Sequence, residues 1–519
     1  MSSTASSSRS VLEGGDQPLT GPMLWFAAVV LAAANFIAVL DMTVANVSVP
    51  NIAGSLGISS SQGTWVITSY AVAEAIFVPL TGWLAARFGA VRVFTTCMGL
   101  FGVFSLVCGF ATSLGMLVFG RIMQGVCGGP MIPLSQTLLL RIFPKEKAAA
   151  ATALWAVTTL IAPVVGPILG GWLCDDYSWP MIFFINVPLA LLCAPLAWRM
   201  LKRYEDKLKR VPIDKVGLVL LIVAVGALQL MLDLGKEHDW FESAEIWALA
   251  IVAVVGLAAF LIWESTERHP IVDLRVFRHR GFSMCVLTIS IGFGGFFAVN
   301  VLTPLWLQSY MGYTSTWAGL ATAWTGLLAI FMAPIAGMLM TKVDPRRLVC
   351  FGMLWIGAVS LWRMGATTDM TFWQVSVPLM LMGLGLPFFF LPITAHALAS
   401  VDESETASAA GLMNFLRTLS GAFATSIATT AWESNTSAAH AQLAGDIDRS
   451  GETARSLLGS GLDMDSVRSV LDGMTQGQSV MLATNEIMAT CALAFCVAAL
   501  LIWLAPRTAR VVDMSKVGH

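Results

Sequence analysis

Residues 162–171 read APVVGPILGG, two prolines and three glycines inside a segment that is apolar enough to cross a membrane. The residues of this run with special backbone properties are Pro163, Gly166, Pro167, Gly170 and Gly171. Each proline removes a backbone donor, and hydrocarbon offers no water to the freed carbonyl, so neighbouring helices must compensate. The glycines follow the small-residue spacing that lets another helix approach closely. The run predicts a bent, tightly packed membrane helix, as expected in a moving transporter core and not in a passive anchor.

The composition of the 519-residue chain is that of an integral membrane protein. Apolar residues make up 56% and charged residues 12% of the chain, against roughly 45–50% and about 25% in soluble domains. The formal net charge of −2 argues against binding to nucleic acid. Nine cysteines, an odd number without a CxxC pair, predict no disulfide framework. No metal-ligand or haem spacing is present, so we expect neither a metal site nor a cofactor.

Fourteen stretches are long and apolar enough to cross the roughly 30 Å hydrocarbon core of a bilayer. They begin near Leu24, Thr64, Val93, Met116, Ala149, Met181, Gly217, Glu245, Phe282, Trp317, Leu348, Phe372, Ala407 and Ala483. Lys and Arg concentrate in the loops after spans 2, 4, 6, 8 and 10, and the opposite loops are nearly free of them. The positive-inside rule therefore puts both termini in the cytoplasm. One loop fits less well, because Asp402, Glu403 and Glu405 follow span 12 without a base.

An internal repeat divides the predicted spans into two halves. After span 2 stand Gly82, Leu84, Arg87 and Arg92, and after span 10, each 255 positions later, stand Gly337, Leu339, Lys342 and Arg347. Parallel repeats of six spans are a transporter architecture, so we interpret spans 7 and 8 as an insertion. The predicted organisation is a cytoplasmic tail (1–23), an N-terminal six-helix bundle (24–200), a charged cytoplasmic linker with two inserted spans (201–265), a C-terminal six-helix bundle (266–506) that includes an extracytoplasmic loop (433–481), and a second cytoplasmic tail (507–519).

Four motifs resemble those of the fourteen-span drug:proton antiporters of the major facilitator superfamily. They lie at residues 40–50, 82–92, 121–125 and 165–171, in the expected order. Further runs at 179–188, 233–240, 270–273, 318–320 and 414–419 are similar to the inner-membrane pumps of three-part efflux systems. The resemblance implies the major facilitator fold, all-α, with two six-helix bundles plus two extra spans, and 14 transmembrane helices. It also implies gating or motif roles for Gly82, Arg87, Arg92, Gln124, Gly125 and the glycines and prolines of residues 162–171.

The function implied by this resemblance is proton-coupled export of hydrophobic drugs or toxic compounds across the bacterial inner membrane, by alternating access. The implied partners are small hydrophobic substrates, protons, the lipid bilayer, a membrane-fusion adaptor and an outer-membrane channel. The alternative is a stand-alone exporter of a specific metabolite, fatty acid or siderophore that works without an adaptor. A channel would need a ring of identical carbonyls or charges, and an enzyme would need a nucleophile with a base or a metal cluster. Neither pattern is present in the sequence, so we expect neither a channel nor an enzyme.

Four ionisable residues lie well inside predicted spans: Asp41, Glu74, Arg121 and Arg417. Each costs about 2.5–3.5 kcal/mol on membrane-insertion scales and so requires a reason to be there. Counting helix turns puts Asp41 and Arg121 at a similar depth, about two turns below the outer ends of spans 1 and 4. An opposite charge within about 4–6 Å would hold Asp41 ionised until a proton or a substrate competes. The alternative is a structural ion pair that only fixes helix packing.

Glu74 lies near the middle of span 2, one turn from Tyr70. Facing a central cavity, it would bind cationic drugs or act as a second proton site; the alternative is a protonated acid that is hydrogen-bonded between helices. Arg417, near the middle of span 13, would attract anionic substrates or face a carboxylate across the interface between the bundles. The alternative role of Arg417 is structural, in which its side chain binds backbone carbonyls of a bent helix.

Aromatic side chains are candidates for an adaptable apolar cavity. Phe293 and Phe297 in span 9 and Trp324 in span 10 would line it and accept varied hydrophobic drugs. Ordinary helix packing is the alternative for each of them. Asp233 lies near the outer end of its span, where exposure to lipid headgroups is a sufficient explanation.

Overall fold

A computed structural model describes most of the chain. The described residues are 21–143, 148–205, 212–235, 237, 238, 240–268, 270–340, 342–402, 405–444, 451–459 and 463–507. Most of the two predicted tails and the basic run at 206–211 of the predicted linker lie outside them, as does Glu403 of the acidic loop. Every regular element of the described residues is a helix, which confirms the all-α prediction.

The described residues of the first half form nine α-helices, several of which begin after a serine or a glycine. They are α1 (Pro22–Val44), α2 (Val49–Leu56), α3 (Ser60–Phe77), α4 (Thr81–Phe88), α5 (Ala90–Gly109), α6 (Leu114–Ile142), α7 (Ala148–Asp176), α8 (Met181–Phe184) and α9 (Asn186–Leu201). Ser59 and Gln62 form a capping box at the start of α3, in which the Ser59 hydroxyl accepts from the Gln62 backbone N–H at 3.1 Å. Helices α3 and α4 are bent by 58° relative to each other.

The inserted pair and the second half add nine more helices. They are α10 (Lys215–Leu234), α11 (Ala244–Thr266), α12 (Arg280–Tyr310), α13 (Ser315–Met340), α14 (Pro345–Arg363), α15 (Phe372–Ala399), α16 (Thr406–Ala444), α17 (Glu452–Gly459) and α18 (Met464–Leu501). Asp214 caps α10 by accepting from the Gly217 backbone N–H at 2.8 Å. The α10–α11 pair packs beside both halves, because α10 contacts α3 as well as α16.

Each of the fourteen predicted spans coincides with one of these helices or with two consecutive ones. Among the described residues, nine helices are long and apolar enough to cross a membrane, and the bent pair α3–α4 makes a tenth. The chain is therefore a multi-pass membrane protein. The count of fourteen spans stays a prediction, because α6, α7, α14 and α16 are not among these ten.

Two seams join the halves, α7 against α13 and α3 against α16. We call the end of the helix bundle at which α1 begins the proximal end, and the end at which α1 ends the distal end. At the proximal end, carboxylates cap the corresponding helices α5 and α14. Glu205 accepts from the backbone N–H groups of Val91 and Arg92 at 3.1 and 3.0 Å. Asp344 accepts from that of Arg346 at 3.0 Å, and the hydrogen bond from the Arg346 side chain lowers the pKa of Asp344.

The acidic residues of the loop after α15 pair with basic residues of another loop. Arg278, just before α12, donates through Nη2 to Asp402 at 3.1 Å and to Glu405 at 2.8 Å. The neighbouring His279 lies 2.8 Å from Glu405. The proximal surface therefore brings these opposite charges together although they are more than a hundred residues apart in sequence.

Helices α16 and α18 are longer than a membrane span. They contain 39 and 38 residues, so at 1.5 Å per residue each is about 57–58 Å long, nearly twice the roughly 30 Å hydrocarbon core. Their extra length and α17 account for most of the predicted extracytoplasmic loop 433–481. His440 on α16 and Asp472 on α18 are 3.1 Å apart in this extension. The segment is thus largely a continuation of two membrane helices past the distal end.

Candidate functional site

The first component of the site is an ion pair between α1 and α6, fully buried inside the N-terminal half. Arg121 Nη1 donates to Asp41 Oδ2, and the two side chains expose 1% and 0% of their surface. Asn186, at the start of α9, donates to the other Asp41 oxygen at 2.7 Å. Both carboxylate oxygens therefore have a donor, so the charge of Asp41 is fully compensated. The similar depth predicted for Asp41 and Arg121 corresponds to direct contact.

The remaining donors of Arg121 are held by the helices around it. Its Nε donates to the backbone carbonyl of Val66 on α3 at 2.8 Å, and Nη1 also approaches Gln124 Oε1 at 3.1 Å. Gln124, a predicted motif residue, donates onward to Ser105 on α5 at 2.8 Å. The guanidinium lies over the Tyr70 ring, 4.3 Å from its centroid. This network fixes one geometry for the arginine and connects three helices, α3, α5 and α6, to the carboxylate of Asp41.

The second component lies on the α3–α16 seam between the halves. Glu74 is 4% exposed, and its Oε2 has no hydrogen-bond partner among the described residues. Arg417 on α16 is its opposite charge across the seam; the two interact electrostatically without a direct ion pair. Arg417 lies over the Phe293 ring at 5.3 Å, and its Nε lacks a partner among the described residues. Tyr70 Oη is likewise unpartnered. The seam thus holds an acid, a phenol and a guanidinium with unused hydrogen-bonding capacity.

Glycines on α6 let that helix pack tightly around these residues. A Cβ at the predicted motif residue Gly125 would lie 2.8 Å from Ala73 Cβ and 3.0 Å from the Glu74 backbone nitrogen. At Gly129 a Cβ would lie 2.9 Å from the Glu74 carbonyl oxygen. Any larger residue would push α6 away from the turn of α3 that carries Glu74. The motif glycine therefore positions the seam residues by close helix contact.

Aromatic rings border the seam on the side of the C-terminal half. Phe293 and Phe297 stack with centroids 5.5 Å apart, and Phe390 meets Phe293 edge-on at 5.7 Å. Phe297 lies with Tyr70 and Arg121 around a narrow crevice that has no room for a water molecule in this conformation. Trp324 is not part of this set, because it contacts Trp373 on α15, a residue that is 58% exposed. Two of the three predicted cavity aromatics are therefore brought together.

The run at 162–171 lies on α7, with α1 on one side and α13 on the other. A Cβ at Gly166 would collide with Thr43, and one at Gly170 would lie 2.7 Å from the Val44 carbonyl oxygen. Gly171 faces α13, where an added Cβ would lie 2.7 Å from Thr316 Cα. Gly319 on α13 faces Pro167 in return. Pro163 and Pro167 are accommodated within one continuous helix. The predicted close packing is present, and part of it joins the two halves.

Hydrogen bonds reinforce this seam at the distal end. Asn51 donates to Ser315 Oγ at 2.6 Å, and Gln308 donates to the Val47 carbonyl at 2.8 Å. Asp175, at the end of α7, accepts from the backbone N–H groups of Ser315 and Thr316 at 3.1 and 2.7 Å. A side chain of the N-terminal half thus caps the first turn of α13 in the C-terminal half.

The proximal end has more space around its motif glycines. A Cβ at the predicted gating residue Gly82, or at its repeat counterpart Gly337, would meet nothing within 4 Å. Arg87 and Arg92 of the same motif are exposed, and Arg92 Nε lies 3.8 Å from Glu205. The α7–α13 seam is thus closely packed at the distal end, whereas Gly82 and Gly337 at the proximal end make no close contact at their Cβ positions.

Asp233 on α10 joins all three parts of the chain. It accepts from Thr68 on α3 at 3.1 Å and from Gln229 on its own helix at 2.8 Å, and Ser426 on α16 donates to it as well. The sequence-based interpretation as a headgroup-exposed residue is therefore wrong. Asp233 is a bridge by which the inserted helix holds both halves.

Sequence reasoning missed the roles of Asn186, Asp233, Asp175 and Glu205. Asn186 carried a signal, since it is a lone polar residue in a strongly apolar stretch, and such residues require a partner. Asp233 did not stand out, because it lies at the end of its span, just before the polar residues 236–239. Asp175 and Glu205 had none, because acidic residues at span ends are ordinary.

Comparison with known proteins places these features in context. The sequence profile described as Major Facilitator Superfamily matches residues 31–425. The chain is 44% identical to the "Multidrug export protein EmrB" of Haemophilus influenzae over 94% of this chain and 97% of that protein. It is 42% identical to the "Fatty acid resistance protein FarB" of Neisseria gonorrhoeae, over 94% and 97%. The fold is similar to a bacterial homolog of the human lysosomal transporter Spinster, with a TM-score of 0.63 and 16% identity over 95% of this chain and 100% of that one.

Proposed function

Because this chain belongs to the major facilitator superfamily and closely resembles multidrug export proteins, we propose that it exports hydrophobic drugs or other toxic compounds by proton-coupled antiport. The proposed location is the bacterial inner membrane, with both termini in the cytoplasm and the distal end outside. The mechanism is alternating access of one central site, in which the two halves rock against each other. No enzymatic activity is proposed.

The observation that carries the proposal is the position of Glu74. Its side chain is buried on the seam between the halves, with one oxygen unpartnered among the described residues, and Arg417 lies on α16, the helix packed against α3 across this seam. A buried carboxylate with unused acceptor capacity is able to take up either a proton or a cationic group of a substrate. Because both would use the same oxygen, binding of one opposes binding of the other. That competition is the requirement for antiport.

The Asp41–Arg121 pair supplies the second coupling group. Protonation of Asp41 would remove the counter-charge of Arg121 while that arginine stays buried, which is strongly unfavourable. Arg121 touches α3 at Val66 and Tyr70, so its relaxation would act on the helix that carries Glu74. Protonation in the N-terminal half is thereby transmitted to the α3–α16 seam.

The proposed transport cycle starts from this conformation, in which the α7–α13 seam is closely packed at the distal end. Substrate enters from the proximal, cytoplasmic side and binds against the rings of Phe293 and Phe297 and the polar groups of Glu74 and Tyr70. The α7–α13 contacts separate when the halves rock, and a proton from the distal side then displaces the substrate. One inward proton supplies about 2.3 kcal/mol per 100 mV plus about 1.4 kcal/mol per pH unit. This is enough for a few-hundredfold gradient of a neutral substrate, at tenfold per 1.4 kcal/mol.

We also propose a membrane-fusion adaptor and, through it, an outer-membrane channel as partners. The distal extension of α16 and α18 supports this, because it presents ordered helices beyond the membrane surface. His440–Asp472 and Asn435–Glu486 contacts fasten the two helices to each other. Deleting the extension should leave transport in liposomes intact but abolish resistance in cells that contain the adaptor.

A second candidate is a stand-alone exporter of a specific metabolite, fatty acid or siderophore. The 42% identity to a protein named for fatty acid resistance favours an acidic, apolar substrate in this case. Arg417, and not Glu74, would then be the substrate contact. Efflux of a long-chain fatty acid that is lost in Arg417→Gln but kept in Glu74→Gln would favour this candidate.

Substrate-induced proton release from purified protein tests the coupling directly. In weakly buffered detergent solution, adding a cationic hydrophobic drug should release protons, because drug and proton compete for the same carboxylates. The Glu74→Gln/Asp41→Asn double variant should release none. Drug binding without proton release from the unaltered protein, at every pH between 5 and 8, would contradict competition.

A further inference from the structure

Arg363 is a buried arginine that the export proposal does not use. It is the last residue of α14, at the distal end of the C-terminal half, and it exposes 8% of its surface. Nη2 donates to the hydroxyl of Thr303 on α12 at 2.8 Å. Nη1 has no hydrogen-bond partner among the described residues. One terminal nitrogen of the guanidinium therefore has a hydrogen-bond partner and the other has none among the described residues.

The charge of Arg363 is also uncompensated. No carboxylate of the described residues pairs with it, and the nearby side chain of Cys491 is a neutral thiol. The other buried arginines differ, since Arg121 pairs with Asp41 and Arg346 pairs with Asp344. Because an unpaired buried cation is strongly destabilising, a native protein keeps one where an anion compensates it.

A crevice leads to this guanidinium from the surroundings of the C-terminal half. Its volume is about 360 Å³ including the part that is open, and about 20 Å³ of it is wide enough for a single water molecule or one acidic oxygen. Four helices and the α14–α15 loop form its walls. Besides Arg363, the lining residues are chiefly Trp306, Trp362, Met370, Gln374, Thr484 and Met488. The lining is thus mostly apolar, with Arg363, Gln374 and Thr484 as its polar members.

The outer part of the crevice continues onto a lipid-facing surface. Trp362 is 57% exposed and its neighbour Leu361 is 49% exposed. On α15, Trp373 is 58% exposed. An acyl chain that leaves the crevice would lie along these side chains in the membrane. Arginines at membrane interfaces usually extend their head group to water; Arg363 instead turns its head group inward.

We propose that this crevice is a binding site for an anionic amphiphile, whose carboxylate or phosphate bonds to Arg363 and whose acyl chain lies on the exposed faces of α14 and α15. The ligand comes either from the bilayer, as an anionic phospholipid, or from solution, as a long-chain fatty acid. The site is separate from the seam at Glu74, so whether it binds such a ligand does not depend on the proposed export function.

Two binding measurements on the purified full-length protein test this site. Retained phosphatidylglycerol is quantified by native mass spectrometry, and radiolabelled oleate by scintillation proximity. Arg363→Gln should weaken binding of the true ligand about tenfold to a hundredfold, the range expected when hydrogen bonds to a charged group are lost. Arg363→Lys should keep most of the binding affinity, because it preserves the positive charge. Arg347→Gln, which removes an exposed charge at the other end of α14, is the matched control and should bind normally.

The pattern of losses identifies the source of the ligand. Weakened phosphatidylglycerol binding alone assigns a membrane lipid, and weakened oleate binding alone assigns a free acid. Unchanged binding of both by a folded Arg363→Gln variant overturns the proposal. If that variant does not fold, the unaltered protein is tested with oleate against oleyl alcohol, which has the same chain without the charge. The alcohol should bind at least about tenfold more weakly, and equal affinity overturns the proposal.

Discussion

Asn186 Nδ2 donates to Asp41 Oδ1 at 2.7 Å, on the carboxylate oxygen opposite the one that Arg121 binds. Asp41 is consequently held from two sides by α6 and α9, and its exposure to solvent is 0%. Loss of either donor would leave one buried carboxylate oxygen without a hydrogen-bond partner, which is costly. Movement of either helix would break one of these bonds, which is the link between conformational change and protonation that the proposed mechanism requires.

The first prediction concerns Asp41 and Arg121 as a pair. Asp41→Asn should abolish drug transport driven by a pH gradient and lower stability by about 3–5 kcal/mol, because it leaves Arg121 buried without a counter-charge. Adding Arg121→Gln should recover much of the stability but none of the transport. Thermal unfolding in detergent and transport in liposomes measure the two effects. Coupled transport by the single variant at the normal rate would show that the pair is only structural.

The second prediction concerns the unpartnered oxygen of Glu74. Glu74→Gln mimics a permanently protonated side chain, so it should reduce export of cationic drugs at least about tenfold, the equivalent of one lost charged hydrogen bond. Export of neutral drugs should persist with a flatter dependence on pH. Glu486→Gln, an exposed acid on α18, is the control. The same rates for every drug at every pH in Glu74→Gln and the unaltered protein would exclude Glu74 from coupling.

The third prediction concerns the glycines of α7. Gly166→Leu and Gly170→Leu should either abolish efflux or let substrate leak, because the new side chains displace α1 at Thr43 and Val44. Overpacking of this kind costs about 1–3 kcal/mol, enough to shift the balance between conformations. Gly226→Leu is the control, since a Cβ there meets nothing within 4 Å. Tightly coupled transport by both α7 variants would remove them from the distal seal.

The fourth prediction concerns Asp233 as a bridge between the halves. Asp233→Asn keeps one accepting oxygen, so it cannot hold Thr68, Gln229 and Ser426 as the carboxylate does. The distal end should open more often. Spin labels at Ser55→Cys and Trp317→Cys, in a background without native cysteines, should show an added population at longer distance. Asp176→Asn is the control, and unchanged distances in Asp233→Asn would argue against a bridging role.

The sequence was most informative about properties that depend on a single helix. The depths of Asp41 and Arg121 follow from counting turns, since helix rise is regular. The close packing at Gly166 and Gly170 follows from residue size. These properties are local, so they could be read without knowing which helices are neighbours.

Contacts between distant helices were harder to predict. Asp233 meets Thr68 and Ser426 only because α10 fits between the halves, and a single sequence does not say how each helix is rotated. Likewise, Arg278 compensates Asp402 across 124 positions of sequence. Trp324 was assigned to the cavity because it is aromatic and lies in a span, but its helix turns it toward Trp373.

Transport by the purified protein in liposomes tests the central claim most directly. With the lumen acidified relative to the bath and a labelled hydrophobic drug outside, molecules inserted with the proximal end outward should accumulate drug inside. A protonophore should abolish the accumulation, and the Asp41→Asn/Arg121→Gln variant should show none. No drug movement under an imposed pH gradient, or accumulation that survives the protonophore, would contradict proton-coupled antiport.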